Sequence, residues 1–153
     1  MGAMIVVLSP FGEVHFHPTE GRLVMDMLWD SGVLDLGDIY ITSLVKARVT
    51  AGDEGGLIEA SFPYLVEEVQ NVVPRFTLAL GETVWQTLTG LKLKLPLYRG
   101  IWHRLADPFD WDEGLVIGTW SPAEALADPR KAQAFRRDVG EFAGAWLART
   151  DGG

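Results

Sequence analysis

Met4-Ile5-Val6-Val7-Leu8-Ser9-Pro10 is the stretch on which the fold turns. Its first five residues are apolar and rich in β-branched side chains, and Ser9-Pro10 is a turn signal, so Met4–Leu8 reads as a buried strand. Met1-Gly2-Ala3 is left outside it. Downstream, Thr19–Gly32 reads as a helix: Leu23, Met27 and Leu28 share a face, Thr19 can cap the start and Gly32 can close the end. Asp38–Leu44 (DIYITSL) is a second strand. The polar, glycine-rich loop Val49–Gly56 leads into a helix over Leu57–Val73, with Leu65, Val69 and Val72–Val73 at helical spacing and Pro74 as its stop. Arg75–Leu80 (RFTLAL) is a third strand, followed by Gly81-Glu82 and a short helix, Thr83–Leu88. Leu115–Thr119 (LVIGT) is a fourth. Pro129 opens a last helix to about Arg149, striped by Phe135, Val139, Phe142 and Trp146.

Strands that alternate with helices imply right-handed crossovers. The expected architecture is a three-layer α/β/α sandwich around a mostly parallel four-stranded sheet, formed as one domain over residues 4–150. In such a sheet, ligands bind beyond the carboxyl ends of the strands. The loops after Leu8, Leu44, Leu80 and Thr119 are therefore the places to look for chemistry.

Composition narrows the classes. Of 153 residues 48% are apolar, enough to build a core and to exclude intrinsic disorder. Twenty-one acids against thirteen bases leave a net charge of −8, which excludes a surface that is basic all round, though not a local basic groove. The chain has no cysteine, which removes disulfides, thiolate catalysis, Cys-ligated zinc and iron–sulfur clusters together. No metal or cofactor is expected. No apolar run approaches the roughly eighteen residues of a membrane span and no signal-peptide pattern opens the chain, so a soluble, cytoplasmic protein without membrane contact is expected.

The pieces at the strand ends, taken in order, carry a resemblance. Tyr40-Ile41-Thr42-Ser43-Leu44-Val45-Lys46-Ala47-Arg48 is similar to the Y-I-T-N-V-V-K-C-R-P segment of the family 4 branch of the uracil-DNA glycosylase superfamily. Pro63-Tyr64-Leu65 through Pro74 resembles that branch's C-x-P-Y-L…I-x-x-x-x-P helix, and Leu78-Ala79-Leu80-Gly81 its A-L-G strand end. Arg99-Gly100-Ile101-Trp102 is similar to R-G-x-W, Thr119-Trp120-Ser121-Pro122-Ala123 to T-Y-H-P-[SA], and Asp128-Pro129-Arg130-Lys131 to N-P-x-K. Phe16-His17-Pro18-Thr19-Glu20-Gly21 has the spacing of F-V-G-R-A-G. The resemblance spans nearly the whole chain.

It implies a DNA glycosylase fold and a site in which a base flipped out of the stack rests on Phe16, within a first loop that includes Gly12. The base's edge is read at Ser43, where the branch has asparagine, and its departing anion is met at Ser121, where the branch has histidine. The two cluster cysteines visible in these motifs map to Ala47 and Ser61, so the branch's iron–sulfur cluster is not expected. A serine can donate a hydrogen bond but cannot carry charge, and losing one good oxyanion donor costs ~2.7–4 kcal/mol, roughly 10²–10³ in rate. Weak or no activity on plain uracil follows, with a modified or bulky base better suited to the opened pocket.

Other candidates have competing readings. Glu13 can orient water or contact the sugar, or be a solvated loop acid. His15 and His17 alternate but lack a clear third metal ligand; His15 can still serve as an acid–base group near neutral pH. Lys46 and Arg48 can meet phosphates or be solvated charges. Pro122, Ala123 and Leu126 fall where the branch inserts a loop into the minor groove, and leucine is a sensible wedge. Lys92, Lys94, Arg99, His103 and Arg104, interleaved with Tyr98 and Trp102, suit a nucleic-acid groove, or are amphipathic packing. Asp107–Glu113 (DPFDWDE) can be a lid, a partner patch or a surface loop.

The leading expectation is a diverged DNA N-glycosylase that flips and cleaves a modified base, with single- or double-stranded DNA as its partner. The alternatives are an inactive module that binds nucleic acid, nucleotide or protein, the last through its acidic surface, and a glycosidase of free nucleotides.

Overall fold

A computed structural model describes residues 2–8, 18–37, 39–46, 54–111 and 113–151. The apolar run at the start forms β1 (Ala3–Val7), wholly buried along its length; it begins one residue before the expected Met4, because Ala3 pairs with Ile39 and Phe76 on its two sides. The chain continues through α1 (Pro18–Asp30), β2 (Ile39–Ser43), α2 (Glu54–Val72), β3 (Phe76–Leu80), α3 (Glu82–Thr89), β4 (Trp102–Arg104), β5 (Leu115–Thr119), α4 (Pro122–Ala127) and α5 (Pro129–Asp151). Thr19 stands inside the first turn of α1 rather than before it. Pro18 opens the helix, a position where its missing N–H costs no hydrogen bond. Gly32, at φ 99°, closes the helix with its N–H on Trp29 O at 3.0 Å.

The sheet has five strands in the order β2-β1-β3-β5-β4, not four. The first four in that order are parallel; β4 runs antiparallel on the β5 edge, with Trp102 opposite Ile117 and Arg104 opposite Leu115. This fifth strand, β4, is the C-terminal end of the basic, aromatic stretch. Its three residues are too few to show a period of two in sequence. Trp102 packs against Phe76 with ring centres 5.3 Å apart and planes tilted by 58°, and donates Nε1–H to Glu141, so its ring packs against the fold instead of lining a groove.

Each sheet face carries its own core, as side-chain alternation along a strand requires. Ala3, Ile5 and Val7 face α1 and α5, where the expected stripe Phe135, Val139, Phe142 and Trp146 is buried. Met4 and Val6 face the other layer, with Leu65 and Val69 of α2 and Trp85 and Leu88 of α3. The Asp107–Glu113 stretch is anchored by its aromatics: Phe109 is buried edge-on to Phe62 at 5.0 Å, and Trp111 donates to Pro74 O at 2.9 Å. It is a surface loop pinned to the second core. Among the described residues, no helix is long and apolar enough to cross a membrane.

Gly118 in β5 lets the Trp85 ring lie on the strand: a Cβ there would stand 2.4 Å from Trp85 Cδ1. Because the ring is fully buried and cannot move aside, Gly118→Ala is expected to destabilise the protein by about 1–3 kcal/mol, read as a lower urea midpoint at unchanged slope.

Candidate functional site

Strand order reverses between β1 and β3, since β2 lies on one side of β1 and β3 on the other. Helices on either side of such a switch point leave a crevice beyond the strand ends. There a cavity of about 210 Å³ opens. Leu8 closes it from β1, Leu80 and Gly81 from β3, Glu82, Thr83 and Val84 from α3, and Ser121 and Glu124 from the start of α4. That size suits one heterocycle and falls below the ~300–1,000 Å³ of drug-sized sites.

Two local features bring the ends of β3 and β5 together. Gly81 adopts φ 107° and donates its N–H to Thr119 O at 2.9 Å; a Cβ built on it would meet Ser121 Cβ at 3.7 Å. Beneath them, Asp138 of α5 is buried. Its carboxylate accepts both 3.0 Å contacts of Arg99 Nη1 and a 2.6 Å bond from the Thr119 hydroxyl. Gly100, at φ 73°, donates to Gly118 O at 2.9 Å, and a Cβ there would lie 2.5 Å from Asp138 Oδ1. The Arg99-Gly100 turn thus holds β5 in place. Arg99, read from sequence as part of a nucleic-acid groove, is used for this pair.

Ser121 is the N-cap of α4. Its oxygen accepts the Glu124 N–H at 3.2 Å, and Glu124 Oε1 accepts the Ser121 N–H at 3.2 Å, a complete capping box. The hydroxyl oxygen is engaged while, among the described residues, its proton has no acceptor, so it can donate into the cavity. Lys131 lies 3.6 Å from Glu124 Oε2 and 4.4 Å from the centre of the Trp120 ring.

The other expected site residues divide. Ser43 is buried at the end of β2, beside Val7, and does not line the cavity. Pro122 is buried in the first turn of α4, which removes it as a direct DNA contact, whereas Ala123 and Leu126 are exposed, Leu126 by 48%. Gly12, Glu13, His15, Phe16 and Arg48 lie outside the described residues.

Lys46 has an occupation the sequence did not suggest. Its ammonium is ion-paired to Glu68 of α2 and donates to Thr42 Oγ1 at 2.7 Å and Ser43 O at 2.6 Å. Tyr40 and Thr42 hydroxyls donate to the same Glu68 at 2.6 and 2.8 Å. The charge is neutralised within the fold rather than offered to phosphate. A larger groove of about 380 Å³ borders this pair, lined by Lys46, Tyr64, Glu67, Glu68 and Asn71. It shares no lining residue with the cavity at the switch point, and the cation among its described lining residues is already paired, so the smaller cavity is the better candidate. Glu68 and Asp138 were missed in sequence because their partners lie 22 and 39 positions away.

Matching the whole chain against known families decides the ancestry: residues 9–143 fit the Uracil DNA glycosylase superfamily. The chain belongs to that superfamily. A type-4 uracil-DNA glycosylase of Pyrobaculum aerophilum is 29% identical to it over 166 aligned positions, which cover 97% of this chain and 80% of that protein.

Against the superfamily's cluster-bearing branch, the local chemistry has changed. No thiolate exists anywhere in this chain, and Ser61, at one cluster-cysteine position, is buried with its hydroxyl accepting the Lys46 N–H at 3.0 Å. An iron–sulfur cluster does not fit these residues. A hydrogen bond ties the loop after β2 to α2 at this point, and the Glu68 ion pair adds a second tie. Among the described residues, no group of three His, Asp or Glu side chains could hold a metal.

Burial pushes the Glu68 carboxyl up, but hydrogen bonds from Lys46, Tyr40 and Thr42, with the Lys46 charge, outweigh it and hold the group below its ordinary value. The hydrogen bond to Glu68, burial and the Glu68 charge push Tyr40 up to about 12. A depressed carboxyl stabilises the fold at neutral pH and loses that contribution as pH falls through its folded value. Glu68→Gln is therefore expected to lower stability at pH 7, with the gap to the parent closing in acid. In ultraviolet titration the same substitution should bring Tyr40 back toward 10.

Proposed function

We propose that this chain is a DNA N-glycosylase, a hydrolase that holds a flipped, modified base in the cavity at the switch point and cleaves its bond to the sugar. The observation that carries the reading is Ser121: in a chain of this superfamily it stands at the strand end beside Gly81, lines a cavity of base size, and has its oxygen, not its proton, used by the helix cap. A donor held rigidly by a capping box is preorganised, which is what stabilisation of a departing base requires. Phe16 supplies the stacking face and Ser43 supports the base-reading strand end. Glu13 or His15 guides water to the sugar. DNA is the partner. Exposed Ala123 and Leu126 on α4, next to the cavity, form a wedge that supports the extruded base's place in a duplex.

Plain uracil is a poor substrate in this reading, because a hydroxyl shares less of the leaving anion's charge than an imidazolium. An inactive binding module on the same fold is favoured by one observation, the net charge of −8 with Lys46 consumed by Glu68.

The experiment is release of free base from a panel of DNAs carrying different modified bases, single- and double-stranded. Ser121→Ala is expected to slow release by about tenfold, the worth of one neutral hydrogen bond, and to cost about 1 kcal/mol of stability through the lost cap. Ser121→Thr, which keeps a capping hydroxyl, should retain most of both. Binding without release from any member of the panel would leave the inactive module as the correct reading.

A further inference from the structure

The charge pattern around the cavity separates two kinds of substrate. Among the described residues, the ionisable side chains that line it are two carboxylates, Glu82 at the start of α3 and Glu124 of α4. Both are held in place by backbone amides: Glu82 Oε2 accepts from Leu95 N–H at 3.0 Å, and Glu124 Oε1 from Ser121 N–H at 3.2 Å. Their counter-ions stand outside the lining. Lys94, exposed, is 4.0 Å from Glu82, and Lys131, half-buried and drawn toward the Trp120 ring, is 3.6 Å from Glu124, in pairs that water screens in part. A ring entering the cavity meets carboxylate oxygens and the hydroxyl-bearing residues Thr83 and Ser121, and no cation among these residues.

Such a lining opposes a base that departs as an anion, since both carboxylates repel the charge that builds on it. It favours a base that is already positive. We propose that this pocket selects a cationic base, an N-alkylated purine or pyrimidine; the inference rests on the glycosylase reading and adds the charge class of the substrate.

The chemistry balances without a charged leaving-group acid. Where alkylation falls on a ring nitrogen's lone pair, as at N7 of guanine or N3 of adenine, the glycosidic nitrogen belongs to a cationic ring. The C1′–N bond breaks with its electron pair going to nitrogen, so the base departs neutral and the positive charge passes to the sugar. Water adds its oxygen to C1′ and releases one proton to solvent. Negative charge never forms on the base, so a serine at position 121 is sufficient where a neutral substrate needs more. The two carboxylates attract the ring while it still carries its charge, so they act on capture of the substrate.

The test incubates the full chain with DNA treated with dimethyl sulfate and with uracil-containing DNA, and quantifies each base released above the protein-free rate. Methylated purines are expected to leave at least about tenfold faster than uracil. In Glu82→Gln/Glu124→Gln, that rate should fall about tenfold or more. Glutamine keeps a carbonyl for the Leu95 and Ser121 amides, so the substitution removes charge and leaves the hydrogen bonds in place. Faster release of uracil than of methylated purines, or an unchanged methylated-purine rate in a folded double variant, overturns the cationic class and leaves the glycosylase reading standing. If neither DNA yields a base and neither is bound, both readings fall. The comparison within the parent protein decides the question even if the double variant does not fold.

Discussion

The buried carboxylate of Asp138 is the constraint on which the site depends. It receives Arg99 from the turn before β4 and the Thr119 hydroxyl from the end of β5, so three segments distant in sequence meet on one anion. An unpaired carboxylate at that depth would cost several kcal/mol, and the pairing is what makes its burial tolerable. Its consequence is positional. Thr119 is fixed, its carbonyl holds Gly81, and Ser121 two residues on is brought against the end of β3. The cavity exists because these strand ends are stitched together from below.

Cations near the strand ends are mostly spent on the fold. Arg99 is paired with Asp138, and Lys46 with Glu68. The latter pair, with Ser61 on the Lys46 amide, joins the loop after β2 to α2 in a chain that has no cysteine to do so. Among the described residues, the polar side chains that line the cavity itself are acidic and hydroxylic. Ser121 and the two carboxylates at the cavity thus share one electrostatic setting, with acceptor oxygens and hydroxyls at the ends of β3 and β5.

Much of the fold was legible from hydrophobic runs. β1 and β5 are continuous apolar segments that pair inside a parallel sheet, and α5 shows its buried stripe at a spacing of three and four. These signals are local and strong because each element must bury one face or two. β4 left no such mark: three residues long, it is defined by its pairing with β5 and by Trp102 against Phe76. Ser121 was legible only by register against a family pattern, and as a residue type it reads equally well as a helix cap. It is one.

The chain's order of apolar runs, breakers and helical stripes determined by itself the three layers, the parallel core of the sheet and the strand ends that carry the site. Tertiary structure alone decided how the charges are spent. Arg99, Lys46, Glu82 and Glu124 look alike in sequence as solvated side chains, and their roles differ because Coulomb energy depends on distance and burial in space. A pairing across 22 or 39 positions has no periodicity to betray it; it appears only when the folded sheet brings the two charges within reach.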